Sequence, residues 1–430
     1  MDPMWGLLLL LILFLIGMPV AYALGFSALA IMYLSQGTIK WVTVCQQMVA
    51  GLNSFTILAV PLFLLAGKVM NACGVTDRLF MFARALVGRL PGGLGHVNVL
   101  ASVIFAGMSG TAIADASGLG LIEIKAMEDA GYDKDFSCAV TSASSTMGPI
   151  IPPSMPLVVY GTISGVSIGA LFVAGVFPGV IMALLMMAMV LFFAIRNKYP
   201  RDKALTFKQF ARAVRLGILP CLTPVIILLG IYTGIFTPTE SAAVVVVYAA
   251  FLGMVLYREV GVKQMIGVLK ETVNDSIGIC ILIATATLFG NVLTKAMIPQ
   301  NILEFTMTFI HSKFMFLLVL NIMLLIVGMF METVSAITIL TPIVYPVAVA
   351  FGVSGIQFGV IMVLNLMIGV VSPPFGVVLF AITKVGKISF TRLVKALIPW
   401  YAVLLAALAV VTIFPGVTTW LPSMMSLGGG

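Results

Sequence analysis

Two stretches of this sequence set backbone-breaking residues beside oxygen-bearing ones inside long apolar runs. The first is Gly107-Met108-Ser109-Gly110-Thr111-Ala112, followed later by Gly148-Pro149-Ile150-Ile151-Pro152-Pro153-Ser154. Glycines permit backbone conformations that expose carbonyls, and Ser109 and Thr111 add hydroxyl oxygens. Each proline removes a donor and disrupts the carbonyl ladder one turn back. A neutral, oxygen-rich knot of this kind inside a bilayer suits Na⁺, while the positive N-terminal ends of broken half-helices suit a carboxylate. For a single break the alternative is a kink patched by neighbouring Ser and Thr, which membrane helices tolerate. The pattern occurs twice, however: a second copy turns at Gly328-Met329-Phe330-Met331-Glu332-Thr333 and breaks at Gly369-Val370-Val371-Ser372-Pro373-Pro374-Phe375. Here Glu332 stands in the position of Thr111. An acid in the membrane costs roughly 2.5–3.5 kcal/mol on insertion scales, so Glu332 is expected to serve Na⁺, a proton or a salt bridge. Asp115, one turn past the first tip, raises the same question. Lys295 is a candidate counter-ion for an anionic substrate or for Glu332, with snorkelling to the outer surface as its alternative. Lys68 and Lys384 lie nearer cytoplasmic ends and read as snorkelling, and Glu240, after Pro238, reads as interfacial.

Other chemistry is not indicated. His96 and His311 sit singly, no His/Cys/carboxylate spacing supports a metal or catalytic site, and no Walker loop is present for ATP. The five cysteines form an odd set without a C-x-x-C pair and read as packing. No catalytic residue is assigned; the expectation is a secondary active transporter, not an enzyme, with energy from an ion gradient or a partner.

The elements that must hold these residues are membrane helices. Of the 430 residues, 61% are apolar and 9% charged, against about a quarter charged in soluble chains. At roughly 20 residues per span, that excludes a soluble enzyme, a nucleic-acid binder and a receptor with a large ectodomain. The net charge of +8 reads as topology, because Lys and Arg collect in cytoplasmic loops. The densest basic segment, Arg196 to Arg215, is therefore cytoplasmic; it contains Lys203 and is opposed only by Asp202. Working outward from it gives spans at 4–17, 19–35, 55–73, 137–163 and 170–195 in the first half. The second half has spans at 217–236, 239–257, 276–296, 357–383 and 398–419. Segments 97–124 and 316–350 enter and leave on one side, so each is a re-entrant hairpin whose irregular tip must be buried in protein or line a cavity.

Phe105 to Ser167 can be laid on Ile326 to Ile388 at a constant offset of 221 residues, with Gly107, Gly131, Gly148, Pro152-Pro153 and Gly165 falling on Gly328, Gly352, Gly369, Pro373-Pro374 and Gly386. The charge pattern gives the two halves opposite orientations, as inverted-topology transporters require. The predicted fold is an all-α polytopic membrane protein with two inverted repeats, 1–195 and 217–430, joined by a basic cytoplasmic linker at 196–216. Each repeat has five spans and one hairpin. The two hairpins and two broken spans are assigned to a mobile domain, and the remaining spans to a scaffold. Both termini are expected outside.

At these residues the chain resembles the large membrane subunit of tripartite ATP-independent periplasmic (TRAP) transporters, over nearly its whole length. The combination of Gly107-Met108-Ser109-Gly110-Thr111, Gly148-Pro149-Ile150-Ile151-Pro152-Pro153-Ser154, Gly328-Met329 with Glu332, and Ser372-Pro373-Pro374-Phe375-Gly376 carries the likeness. It implies a bacterial inner-membrane elevator that imports organic acids, such as sialic acids or C4-dicarboxylates, together with Na⁺. It also implies two partners: a periplasmic substrate-binding protein and a small four-helix membrane subunit, here expected as a separate polypeptide. By the same likeness one Na⁺ falls at Ala106, Ser109, Gly148, Ile151 and Pro153. A second falls at Gly328, Gly369, Ser372 and Phe375, with Thr333 assigned beside them. Substrate contacts fall near Ser109, Thr111, Asp115, Lys295 and Glu332, with Ser154 assigned to the same group. Family members often carry Arg and Asp where this chain has Lys295 and Glu332, which keeps the charge but alters reach and bidentate geometry. A stand-alone Na⁺- or H⁺-coupled carboxylate or anion transporter, using no binding protein, is the alternative.

Overall fold

A computed structural model describes residues 5–202 and 206–425, the side chains of Leu15 and Ser109 excepted. Lys203 of the basic stretch, Met4 of the first span and the chain termini lie outside the described residues, as does the Ser109 side chain.

The described chain is all helical. Eight helices are long and apolar enough to cross a membrane by length and composition. The first half contains α1 (Trp5–Leu15), α2 (Val20–Gln36), α3 (Trp41–Leu52), α4 (Ala59–Ala72) and α5 (Val75–Val87). A hairpin follows, whose first arm is α6 (Gly93–Ser109) and whose second arm is α7 (Ala112–Ala114), a wider π-type turn over Asp115–Leu119, and α8 (Gly120–Asp129). Next come a broken span, α9 (Lys134–Ser144) and α10 (Met155–Ser164), and the long α11 (Ile168–Asn197). The second half runs through α12 (Phe207–Tyr232), α13 (Pro238–Ala250), α14 (Val262–Lys295) and α15 (Ile298–Phe309). Its hairpin is α16 (Lys313–Phe330) and α17 (Thr333–Ala350), its broken span α18 (Gly355–Val370) and α19 (Val377–Gly386), and α20 (Phe390–Ile413) and α21 (Gly416–Met424) end it.

The starts of α3, α7 and α9 (Trp41, Ala112, Lys134) and those of α14, α17 and α18 (Val262, Thr333, Gly355) are each 221 residues apart. The same offset relates the two breaks, each of which carries a cis peptide, at Pro152–Pro153 and Pro373–Pro374.

Three features differ from the sequence-based expectation. The span predicted at 276–296 is the far end of α14, which starts at Val262 and runs 34 residues, or about 51 Å. It absorbs the counterpart of α3 into one helix. Short helices α3, α5 and α15, for which no span was predicted, are amphipathic rather than uniformly apolar. In α5, for example, Gly74 at φ +60 caps the start, Asp77 lies in the first turn and Arg84 in the last, as the helix dipole favours. Arg84 pairs with Asp202 through Nε at 2.6 Å and Nη2 at 2.8 Å, and Arg78 pairs with Glu259. Finally, α11 and α20, read from sequence as scaffold, pack instead among the hairpins and broken spans: α20 on α9, α11 and α18, and α11 on α6 and α10.

Packing thus sorts the helices into two groups. One joins the hairpins, the broken spans, α11 and α20 around a core that includes Tyr160, Phe358 and Trp400. Polar bonds fasten each hairpin to its own broken span: Ser144 donates to Asn98 Oδ1 at 2.8 Å, and Asn365, 221 residues on from Ser144, donates to Asn321 Oδ1 at 2.7 Å. The other group packs α14 against α2, α3 and α4, and α13 against α4 and α12. The two groups meet where α4 crosses α6 and α10 and where α14 crosses α17.

Candidate substrate and cation site

The tip of the first hairpin folds onto the first break. Gly110, at φ +60, reverses the chain after α6, and its N–H still reaches Ala106 O at 3.3 Å. Thr111 is extended and accepts from Ala114 N at 3.4 Å, starting the second arm. A Cβ on Gly110 would lie 2.9 Å from Pro153 O, and one on Gly148 3.4 Å from Thr111 O, so backbone meets backbone at this tip. The sequence also shows which carbonyls at this break lack the usual helical donor. Prolines at 152, 153 and 156 deny a helical donor to the carbonyls of Gly148, Pro149 and Pro152. Ser154, fully buried, bonds Pro149 O through its hydroxyl and accepts from Leu157 N at 3.2 Å, capping α10. Ile151 turns its side chain toward Gly179 of α11.

The second tip repeats the arrangement more tightly. Gly328 and Gly369 touch directly: a Cβ on Gly369 would be 2.5 Å from Gly328 Cα. Pro373 and Pro374 deny the usual helical donor to the carbonyls of Gly369 and Val370, and Gly369 O accepts from Ser372 N at 2.8 Å instead. Ser372 donates to Ile368 O at 2.7 Å, and Phe375 stacks near Phe330 with ring centroids 5.6 Å apart. Glu332 caps α17, its Oε1 accepting from Val334 N and its Oε2 from Ser335 N, both at 3.0 Å.

Between the tips and the α4–α14 wall lies a cavity of about 620 Å³. Of the predicted site residues it brings together Thr111, Glu332 and Thr333. The other predicted cation ligands, Ala106, Gly148, Ile151, Pro153, Gly328, Gly369, Ser372 and Phe375, flank the tips without lining the cavity. Ser154 lies beneath it. Asp115 is buried beneath the first tip, 1% exposed, with Oδ2 lacking a hydrogen-bond partner among the described residues. Lys295 is exposed in the last turn of α14 and does not line the cavity. No group of three His, Cys, Asp or Glu side chains that could hold a metal occurs among the described residues, so a cation here would be held by neutral carbonyl and hydroxyl oxygens. Carbonyl and hydroxyl oxygens are donors for a hard cation.

Two cavity residues escaped the sequence reading. Lys68, read as snorkelling, faces the cavity and pairs with Asp275 at 2.6 Å. Asp275 fell one residue outside the span predicted to start at 276. The acids Glu271 and Asp275, four residues apart and so on one helix face, were a usable signal that the helix starts earlier. Buried Glu123 was also missed. It accepts from Asn98 Nδ2 at 2.6 Å, while Asn98 also donates to Thr141 at 2.7 Å. An acid inside the predicted hairpin at 97–124 was the signal for it.

A helical membrane bundle in which two hairpins close on two broken spans around a central cavity is the architecture of a transporter permease. Residues 7–417 match the family model described as the DctM component of tripartite ATP-independent periplasmic transporters, and the chain belongs to that family. It is 44% identical to the sialic acid TRAP transporter large permease protein SiaM of Vibrio cholerae over 96% of both chains. It is 40% identical to the C4-dicarboxylate TRAP transporter large permease protein DctM of Pseudomonas aeruginosa over 87% of both. With the sialic acid TRAP transporter permease protein SiaT of Haemophilus influenzae it shares 37% identity, over 98% of this chain and 68% of that one. Among solved structures its fold is similar to that of the YdaH transporter of Alcanivorax borkumensis, with a TM-score of 0.67 at 13% identity over 92% and 91% of the two chains.

Proposed function

We propose that this chain is the large permease subunit of a Na⁺-coupled transporter that imports an organic acid of the sialic acid or C4-dicarboxylate type across the bacterial inner membrane. The observation that carries the reading is the cavity itself, bounded by both tips on one side and by α4 and α14 on the other. Na⁺ at the first tip (Ala106, Ser109, Gly148, Ile151, Pro153) and the second (Gly328, Thr333, Gly369, Ser372, Phe375) organises backbone whose helical hydrogen bonding the prolines interrupt. The acid then binds between the tips near Ser109, Thr111, Asp115, Ser154 and Glu332. The repeats lie inverted with both termini periplasmic, and the hairpin group, α11 and α20 included, moves as an elevator past α14. Lys295 stands 20 residues beyond Asp275 on that helix, about 30 Å along its axis, and meets the acid at the opposite end of the stroke. A periplasmic binding protein delivers the substrate and a four-helix membrane subunit braces the scaffold; the tripartite description of the family supports the need for partners.

Reconstitution tests this directly. Proteoliposomes holding the chain and its small subunit are expected to take up N-acetylneuraminate or succinate only with an inward Na⁺ gradient and the cognate binding protein. Na⁺-driven uptake without the binding protein would favour a stand-alone carrier, and uptake that follows a proton gradient without Na⁺ would remove the proposed ion sites.

A further inference from the structure

The cavity wall poses an electrostatic problem. Among the described residues lining it, three carry charge: Lys68, Asp275 and Glu332. Two of these repel a carboxylate, and the oxygens of Glu332 already accept from Val334 and Ser335. Lys68 is the single cation, and its ammonium has three donors. Asp275 takes one at 2.6 Å, while Glu271 at 3.7 Å is within ion-pair range but beyond hydrogen-bond reach. Donors therefore remain for another anion. With the Lys68 side chain 26% exposed and that of Asp275 55% exposed, the pair contributes little to the fold.

We propose that Lys68 is the scaffold's contact for the substrate carboxylate, and that Asp275 is a positioning residue that holds the ammonium toward the cavity. This rests on the organic-acid reading above and adds to it. Specificity for an acid is set partly on the stationary α4–α14 wall, not by the moving tips alone. The bound acid bridges both groups of helices at this end of the stroke, so releasing it from Lys68 is part of leaving the site.

The test is binding to the full chain purified with its small subunit, in Na⁺, using N-acetylneuraminate and succinate and their methyl esters as uncharged probes. The wild type is expected to prefer an acid to its ester. Lys68→Gln is expected to lower acid affinity at least about tenfold while leaving ester affinity unchanged, and Lys68→Arg to restore most of the preference. Lys68→Gln/Asp275→Asn, which removes both charges of the closer pair and serves if the single variant misfolds, is expected to stay as weak as Lys68→Gln. Recovery of acid affinity in that double variant would make the pair merely structural and overturn the proposal, as would Lys68→Gln binding like the wild type. A wild type that binds neither acid would overturn the functional reading and this inference with it, whereas loss of the inference alone leaves wild-type binding intact.

Discussion

Gly369→Ala is expected to reduce coupled uptake by about 100-fold or more, the scale of loss that misplacing reacting or binding groups by about 1 Å can bring. The added Cβ would sit 2.5 Å from Gly328 Cα and 2.8 Å from Gly328 O. Backbone lies on both sides, so no side chain can rotate away, and overpacking of this kind typically costs about 1–3 kcal/mol. The strain falls where α16 lies on α18, at a carbonyl that Pro373 leaves without a helical donor. Relief requires the second hairpin to lift from its break, opening the proposed second cation site. Gly267→Ala is the control. Nothing lies within 4 Å of a Cβ there, so uptake is expected to be unchanged and the helix slightly favoured. Initial uptake rates, together with the Na⁺ dependence of thermal unfolding, check both. Wild-type uptake by Gly369→Ala would mean that the close approach of the two backbones is dispensable.

Replacing Glu332 by alanine is expected to lower uptake by up to about thirtyfold through the loss of its cap alone, at up to about 2 kcal/mol. One carboxylate accepts the first free N–H groups of α17 and also faces the cavity, so it orders the tip and sets the charge beside the substrate. Glu332→Asp should keep uptake within about tenfold, because Asp is among the best capping residues. Glu332→Gln separates the roles. Its amide offers one acceptor for two N–H groups and carries no charge, so it should fall near the alanine variant. Initial rates over this series decide the matter, and an alanine variant as active as the wild type would remove Glu332 from the site.

The sequence shows different parts of this molecule to different degrees, for physical reasons. The turns of both hairpins and the breaks of both spans were legible because glycine and proline write backbone geometry locally. Pairings across the bundle leave no such local mark. Lys68 looks like a snorkelling lysine until α14 places Asp275 against it. That placement was hidden because Lys263, Lys270, Glu271 and Asp275 interrupt the apolar run, so the helix looked as though it began after them. Likewise Glu123 looks like the polar end of a hairpin arm, and only folding shows Asn98 bonding one of its oxygens in the interior. Assigning α11 and α20 to the scaffold failed similarly, since a uniformly apolar helix does not reveal which neighbours it buries. Asp115 and Lys295 stood out as unusual charges, and in this arrangement neither lines the cavity, one lying beneath the tip and the other at the far end of α14.

The most direct test of the central claim, that two backbone-built cation sites couple Na⁺ to the movement of an acid, is simultaneous measurement of labelled Na⁺ and labelled acid entering the same proteoliposomes. The expected result is that each acid enters with more than one Na⁺, that neither flux proceeds alone, and that Gly369→Ala abolishes both. Acid entry at the wild-type rate in Na⁺-free medium, or steady Na⁺ flux without acid, would contradict it.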